Sequence, residues 1–269
     1  MYFKHIILSS NMQGQKHKCF EKTIKFYKKN LNKKHGLQYI SCDDSLHRNL
    51  KSIYDFNMGV NGTRLNIGGD HSMSIATGAC SLNMYPQTKF IWIDAHPDLN
   101  TYKSSITKNF HGMPVAYLSG QTSSLYPMHL QFIRNQLQYK NLLYIGIRSI
   151  DEYEESVIRD CNINVIKSRS CNNDINNVMQ QVSDFAGKSP LHVSFDVDSL
   201  DPSAMPSTGT PVKEGLRKST AKKLLNHIVN NTNLINMDFT ELNLSLGTPT
   251  QQKISETNAL DIMRSLKLC

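Results

Sequence analysis

The sequence predicts an α/β fold in which a parallel central sheet carries helices on both faces. Strand-like apolar runs recur at 4–9, 64–68, 89–94, 141–147, 190–196 and 233–239. Amphipathic stretches alternate with them, among them Cys19–Lys33, Asp151–Cys161 and Leu216–Val229. His and Asp residues gather just past three of the runs, and open parallel sheets bind ligands at the carboxyl ends of their strands.

Taken in order, Lys4-His-Ile-Ile-Leu-Ser9 is the first strand and Cys19–Lys33 the helix after it. Leu65-Asn-Ile-Gly68-Gly69-Asp70-His71-Ser72 reads as strand, glycine turn and helix, with Asp70 or Ser72 placed to serve the helix N-terminus. His71 falls where strand becomes helix. In Phe90-Ile-Trp-Ile-Asp94-Ala-His96-Pro-Asp98-Leu-Asn100 an apolar run ends and three metal-grade side chains follow at alternate positions. Side chains on an extended backbone switch faces with period two, so Asp94, His96 and Asp98 are expected to point the same way. Leu191-His-Val-Ser-Phe195-Asp196-Val-Asp198-Ser-Leu-Asp201-Pro202 repeats the design, with Pro202 ending ladder pairing. The last strand, Asn233-Leu-Ile-Asn-Met-Asp238, brings Glu241 to the same sheet edge.

The candidate metal ligands are His71, Asp94, His96, Asp98, Asp196 and Asp198, with no cysteine near them. Oxygen-rich donors with some imidazole suit Mn²⁺ best, ahead of Mg²⁺, Co²⁺ or Fe²⁺. Six ligands exceed what one open catalytic ion needs. They suit two ions sharing carboxylates, an arrangement that activates a bridging hydroxide for attack. Four aspartates, two divalent ions and one hydroxide sum to about −1, which complements a cationic substrate.

Gly68-Gly-Asp-His-Ser, Asp94-Ala-His-Pro-Asp-Leu-Asn and Ser194-Phe-Asp-Val-Asp-Ser-Leu-Asp-Pro, in this order, resemble the three signature segments of the ureohydrolase family. That family includes arginase, agmatinase and formimidoylglutamase. Asn109-Phe-His111-Gly-Met-Pro-Val resembles the arginase segment with the proton-shuttling histidine. Thr208-Gly-Thr210-Pro211 and Asp238-Phe-Thr-Glu241-Leu-Asn-Leu-Ser-Leu-Gly resemble the last two active-site stretches. The similarity runs over roughly residues 64 to 266. It implies a three-layer α/β/α, arginase/deacetylase-like fold with a parallel central sheet, two Mn²⁺ ions, and a homo-oligomer, trimeric or hexameric.

The arginase branch fits best. There an Asn follows the metal triad, as Asn100 does, and grips the substrate α-carboxylate with neighbouring hydroxyls; Ser105 and Thr107 match those positions. Asp151 in Gly146-Ile-Arg148-Ser-Ile-Asp151 matches the residue that holds the α-amino group. The resemblance therefore implies hydrolysis of L-arginine to L-ornithine and urea. Its catalytic set is His111, Asp98 and Glu241, and its substrate set is Asn100, Ser105, Thr107, Asn109, Asp151, Thr210 and Glu241. Asp98 and Glu241 would orient the guanidinium, and His111 would protonate the leaving amine. The alternatives are another ureohydrolase activity, of agmatinase or formimidoylglutamase type, and a non-catalytic homologue that binds arginine or ornithine.

Several residues depart from the arginase pattern. Thr107-Lys108-Asn109 replaces Ser-Gly-Asn, so Lys108 brings bulk and positive charge beside the expected α-carboxylate position. Ser149 replaces a frequent Asp, and Leu244 replaces a frequent Pro. Asn11-Met-Gln-Gly-Gln-Lys-His17 lacks the glycine-rich loop that follows the first strand in arginases, and the first 60 or so residues are divergent and shortened.

At 269 residues, without a Pro- or Ser-rich linker or internal repeat, the chain is expected to form a single domain over 1–269. Its net charge is +8, with pI near 9.1. Much of the lysine clusters around Lys22–Lys34, and the joint excess of Lys, Asn, Ile and Tyr accounts for it as the bias of an AT-rich genome. No aromatic-basic groove or nucleic-acid motif accompanies it, so no nucleic-acid partner is expected. Six cysteines lie at 19, 42, 80, 161, 171 and 269, without metal or redox spacing, and Cys80 is expected to pack within an apolar helix. With no signal peptide or membrane-spanning run, a cytoplasmic protein with reduced thiols is expected, with no membrane partner and a small-molecule substrate.

Overall fold

In a computed structural model of the chain, residues 2–15, 20–32, 36–121 and 130–269 are described. Eight strands form one parallel sheet: β1 His5–Ser9, β2 Leu37–Ile40, β3 Arg64–Ile67, β4 Lys89–Ile93, β5 Leu142–Ile145, β6 Asn164–Ile166, β7 Leu191–Asp196 and β8 Leu234–Thr240. Their order is β2-β1-β3-β8-β7-β4-β5-β6. Strands buried on both faces lose the alternation of half-exposed strands, which is why Phe90-Ile-Trp-Ile93 reads as continuous apolar sequence.

Two hydrophobic layers sandwich the sheet. On one side lie α1 (Glu21–Asn30), α6 (Ser168–Asn173), α7 (Ile175–Ala186), α8 (Lys218–Asn231) and α9 (Pro249–Ser265), through residues such as Tyr27, Val182, Leu225 and Ile262. On the other lie α2 (Leu46–Gly59), α3 (Met73–Met84), α4 (Pro114–Leu118) and α5 (Glu152–Asp160), through Ile53, Ile75, Val115 and the partly buried Val157. The three-layer α/β/α expectation is met. The expected helices shorten to α1, α5 and α8, and the two end residues of the first stretch, Cys19 and Lys33, lie outside the described residues.

The topology assembles the site. The chain leaves β3 and re-enters at β4, while β8 and β7 fill the gap between them. The carboxyl ends of β3, β8, β7, β4 and β5 therefore stand side by side, each carrying one of the motif segments. Register confirms the alignment, pairing Ile67 with Phe239, Phe195 with Phe239, and Ile93 with Phe195 and Ile145.

Two strands carry no clear sequence signal. β2 and β6 are the sheet's edges, of four and three residues, and each is partly exposed. Edge strands face solvent and lack the buried apolar run that marks the central ones. The first strand and the helix after it are present despite their divergence. Leu244 also has a reason to differ from Pro: its backbone N–H donates to Thr23 Oγ1 of α1 at 3.0 Å, a bond proline cannot make.

Candidate active site

The aspartates converge by a different route from the one expected of extended chain. β4 ends at Ile93, and Asp94 Oδ1 then accepts the backbone N–H of His96 at 2.7 Å. β7 ends at Asp196, whose Oδ1 accepts the N–H of Asp198 at 2.8 Å in a short 3₁₀ turn. Both are Asx turns, in which an aspartate captures the amide two residues on. Asp98 has a positive φ of 51°, so the backbone bends again there. Turns thus replace the extended backbone that the period-two expectation assumes, yet Asp94, His96 and Asp98 still converge on one site.

Among the described residues two donor groups form, and Asp98 is in neither of them. His71, Asp94 and Asp196 form one, and Asp94, His96 and Asp198 the other, with Asp94 common to both. His71 Nδ1 lies 3.1 Å from Asp94 Oδ2, 2.8 Å from Asp98 Oδ2 and 3.1 Å from Asp196 Oδ2. His96 Nδ1 lies 3.1 Å from Asp198 Oδ2. Yet His71 Nδ1 and Asp98 Oδ2 are buried without an aligned hydrogen-bond partner. Buried polar atoms are ordinarily satisfied, so lone pairs aimed at a common centre rather than at each other fit a cation. The electrostatics agree. Burial, then the charges of Asp198 and Asp94, push Asp196 well above the usual carboxylate range. Burial and Asp94 raise Asp98 to about 7. Burial opposes a charge on His71, but Asp98, Asp196 and Asp94 outweigh it and hold its pKa well above normal. Four carboxylates forced into one buried space are stabilised by divalent charge.

The scaffold beneath fixes His71. Its Nε2 meets Ser194 Oγ at 2.6 Å, which turns Nδ1 toward the carboxylates. Its ring stacks on Trp92 at 4.5 Å, and Trp92 Nε1 donates to Asp94 Oδ2 at 3.1 Å. Asp70 serves the N-terminus of α3, its Oδ1 accepting the backbone N–H of Ser72 at 3.0 Å. It accepts from Gly14 N at 2.7 Å, and Ser72, the N-cap residue, donates its own hydroxyl to Asp70 instead of capping the helix.

Above the donors is a cavity of about 330 Å³. His71, His96, Asp98, Asp196 and Asp198 line one part of it. Asn100, Ser105, Thr107, Asn109, His111, Asp151 and Thr210 line the rest, so nearly every residue singled out from the sequence is in one place. Asn100 Nδ2 donates to Asp151 Oδ2 at 2.8 Å. Ser105 Oγ accepts from Lys108 N at 3.1 Å, and Thr107 Oγ1 accepts from Asn109 N at 3.3 Å, so both hydroxyls also shape their own loop. Thr210 Oγ1 donates to Asp198 Oδ2 at 3.1 Å.

Glu241 is buried and is absent from the cavity lining; it meets the cavity through His111. His111 Nδ1 lies 3.1 Å from Glu241 Oε1. Burial pulls the His111 pKa down, but the Glu241 hydrogen bond and charge, with Asp70 and Asp98, raise it to about 9. Lys108 is also absent from the lining. Its Nζ donates to Tyr102 O at 2.5 Å and Lys103 O at 3.3 Å, along the loop.

Two polar residues went unnoticed in the sequence. Glu154 lines the cavity and accepts from Leu99 N and Asp151 N, both at 3.0 Å. The Asp-x-x-Glu spacing from Asp151 is a capping-box signal that marks it. Gln15 donates to Glu241 Oε2 at 2.8 Å, and nothing in its flanking sequence marks it.

A family model described as "Arginase family" matches residues 6–269. The chain belongs to the arginase family. Its relatives include the arginase of Glaciozyma antarctica, 35% identical over 209 residues, covering 76% of this chain and 59% of the relative. The Saccharomyces cerevisiae arginase is 35% identical over 191 residues, covering 68% of this chain and 57% of the relative. The chain thus spans a little under 60% of the length of these two arginases, at 59% and 57%. Among solved structures, the Entamoeba histolytica arginase in complex with L-ornithine superposes with TM-score 0.86 at 27% identity, over 99% of both chains. Its arginase-family membership accords with the motif segments, and the shared fold covers the divergent N-terminal region as well.

Proposed function

We propose that this chain hydrolyses the guanidinium group of L-arginine to L-ornithine and urea. The observation that carries the reading is the layout of one cavity: two donor groups sharing Asp94 at one part, and the Asn100–Asp151 pair at another. Arginine has a cationic guanidinium at one end and an α-amino acid at the other. The arginase relatives and the ornithine-bound structural neighbour support the choice.

His71, Asp94, His96, Asp98, Asp196 and Asp198 would hold two divalent cations. Mn²⁺ suits this mix of carboxylate and imidazole, and bound there it supplies activated water and charge stabilisation. The chain's own groups do the rest. Asp98, on the cavity wall, would accept N–H donors from the guanidinium, and Glu241, buried behind His111, would take a further one as the guanidinium enters beside that ring; together they fix its plane, which makes attack on the central carbon effectively intramolecular. His111, held charged by Glu241, gives a proton to the departing ornithine nitrogen as the C–N bond breaks. Asp151 takes the α-ammonium, and Asn100 with Ser105, Thr107 and Asn109 takes the α-carboxylate. Thr210 holds Asp198 in place.

The reading extends to a single catalytic domain over 1–269 acting in the cytoplasm as a homo-oligomer, trimeric or hexameric. Among the described residues no helix is long and apolar enough to cross a membrane. The test is urea release by Mn²⁺-loaded protein from arginine, agmatine and formimidoylglutamate. Turnover of arginine well above the other two is expected; arginine binding with no urea would replace the reading with that of a binding protein.

A further inference from the structure

The loop after β1 lacks the glycine-rich pattern of the family, yet it is tied to three separate parts of the site. Asp70 N donates to Asn11 O at 2.9 Å, and Gly14 N donates to Asp70 Oδ2 at 2.7 Å. His111 N donates to Gly14 O at 3.1 Å. A Cβ on Gly14 would sit 2.5 Å from Asp70 Oδ1, so the close approach needs glycine. The loop then delivers Gln15, which is 5% exposed, to Glu241. A Cβ on Gly209 would lie 3.3 Å from Gln15 Oε1, so the far side of the amide rests on the turn that carries Thr210.

A carboxylate accepts about four hydrogen bonds. Glu241 Oε1 already receives His71 N at 2.8 Å and His111 Nδ1 at 3.1 Å. Oε2 receives Gln15 Nε2 at 2.8 Å. One acceptor position is left. Glu241 also has a positive φ of 64°, so its orientation rests on these partners rather than on a relaxed backbone.

We infer that Gln15 is a positioning residue for substrate recognition: its amide fixes the Glu241 carboxylate so that a single acceptor site remains for one guanidinium N–H. The inference rests on the arginine reading above. It assigns to the divergent N-terminal loop a direct part in choosing a guanidinium over a primary ammonium.

The test uses Gln15→Met, which keeps length and removes the donor, together with Glu241→Gln and the double variant. Arginine and ornithine affinities are measured calorimetrically on metal-free and Mn²⁺-loaded protein, with KM, kcat and Tm alongside. Gln15→Met is expected to weaken arginine binding and raise KM about five- to tenfold. Ornithine affinity and Tm should stay near wild type, and kcat should fall less than KM rises. In the Glu241→Gln background, Gln15→Met should add little, because both act through one carboxylate. Wild-type arginine affinity in Gln15→Met, equal losses for arginine and ornithine, or additive effects in the cycle would overturn the inference and leave the arginine reading standing. A wild-type protein that neither binds nor hydrolyses arginine overturns both.

Discussion

Asn100 and Asp151, fifty-one positions apart, are joined by a 2.8 Å hydrogen bond from the Asn100 amide to the Asp151 carboxylate. β4 and β5 are neighbours, so the loops that follow them meet across the cavity. Ser104 Oγ donates to Asn100 Oδ1 at 2.9 Å, which fixes the amide's sense. The residue proposed for the carboxylate end therefore orients the residue proposed for the ammonium end. Asn100→Ala should raise KM for arginine by about ten- to a hundredfold, the loss of one or two charge-assisted bonds. Turnover of agmatine, which lacks the α-carboxylate, should change little. Equal losses on both substrates in steady-state assays would place Asn100 in the scaffold instead.

Asp94 belongs to both donor groups, whereas His111 belongs to neither. Asp94→Asn is expected to lower the occupancy of both metal positions, read as the metal-to-protein ratio after dialysis. His111→Ala should retain two equivalents and lose turnover by about 10²–10⁴-fold, the usual contribution of a general acid. Asp98→Ala should abolish turnover. Metal loss from His111→Ala would mean that its assigned role is wrong.

Much of this was legible in the sequence, and the reasons it stopped where it did are physical. Central strands such as Phe90–Ile93 announce themselves because both faces are buried, while the edges β2 and β6 carry no such mark. Residue types named the donors, but not their grouping. Alternation on an extended chain predicts convergence of Asp94, His96 and Asp98; they do converge, but through the Asx turn at Asp94 and the positive φ at Asp98. Such turns are written in aspartate followed by any backbone amide, a signal too common to read alone. Gln15 was beyond reach because its importance comes from a contact with Glu241, 226 positions away.

The His111–Glu241 pair makes stability depend on pH. The folded-state pKa of His111 is raised to about 9, from an ordinary 6.5. A raised pKa means the folded state binds the proton more tightly, so the stabilisation is complete below about 6.5 and disappears as pH rises through about 9. Metal-free wild-type protein should therefore lose Tm between pH 6.5 and 9 by more than His111→Ala does. For a domain this size, each kcal/mol corresponds to roughly 2–4 °C. Parallel Tm–pH curves for the two proteins would show that the pair is not coupled as the 3.1 Å contact implies.

Lys108 supplies the last prediction. Its position in the sequence suggested a positive charge beside the substrate carboxylate, but its Nζ is spent on the carbonyls of Tyr102 and Lys103 and it does not line the cavity. Its φ of 60° is one that glycine adopts freely and lysine does not. Lys108→Gly exchanges two opposing effects: it relieves a left-handed backbone, and it removes the tether across the Tyr102–Lys103 turn while freeing the unfolded chain. Each is worth about 1 kcal/mol, so Tm should move by only a few degrees. KM for arginine should stay within about twofold, because no contact to the α-carboxylate position is lost. A tenfold rise in KM at unchanged kcat, reversed by Lys108→Arg, would instead assign the ammonium to the carboxylate.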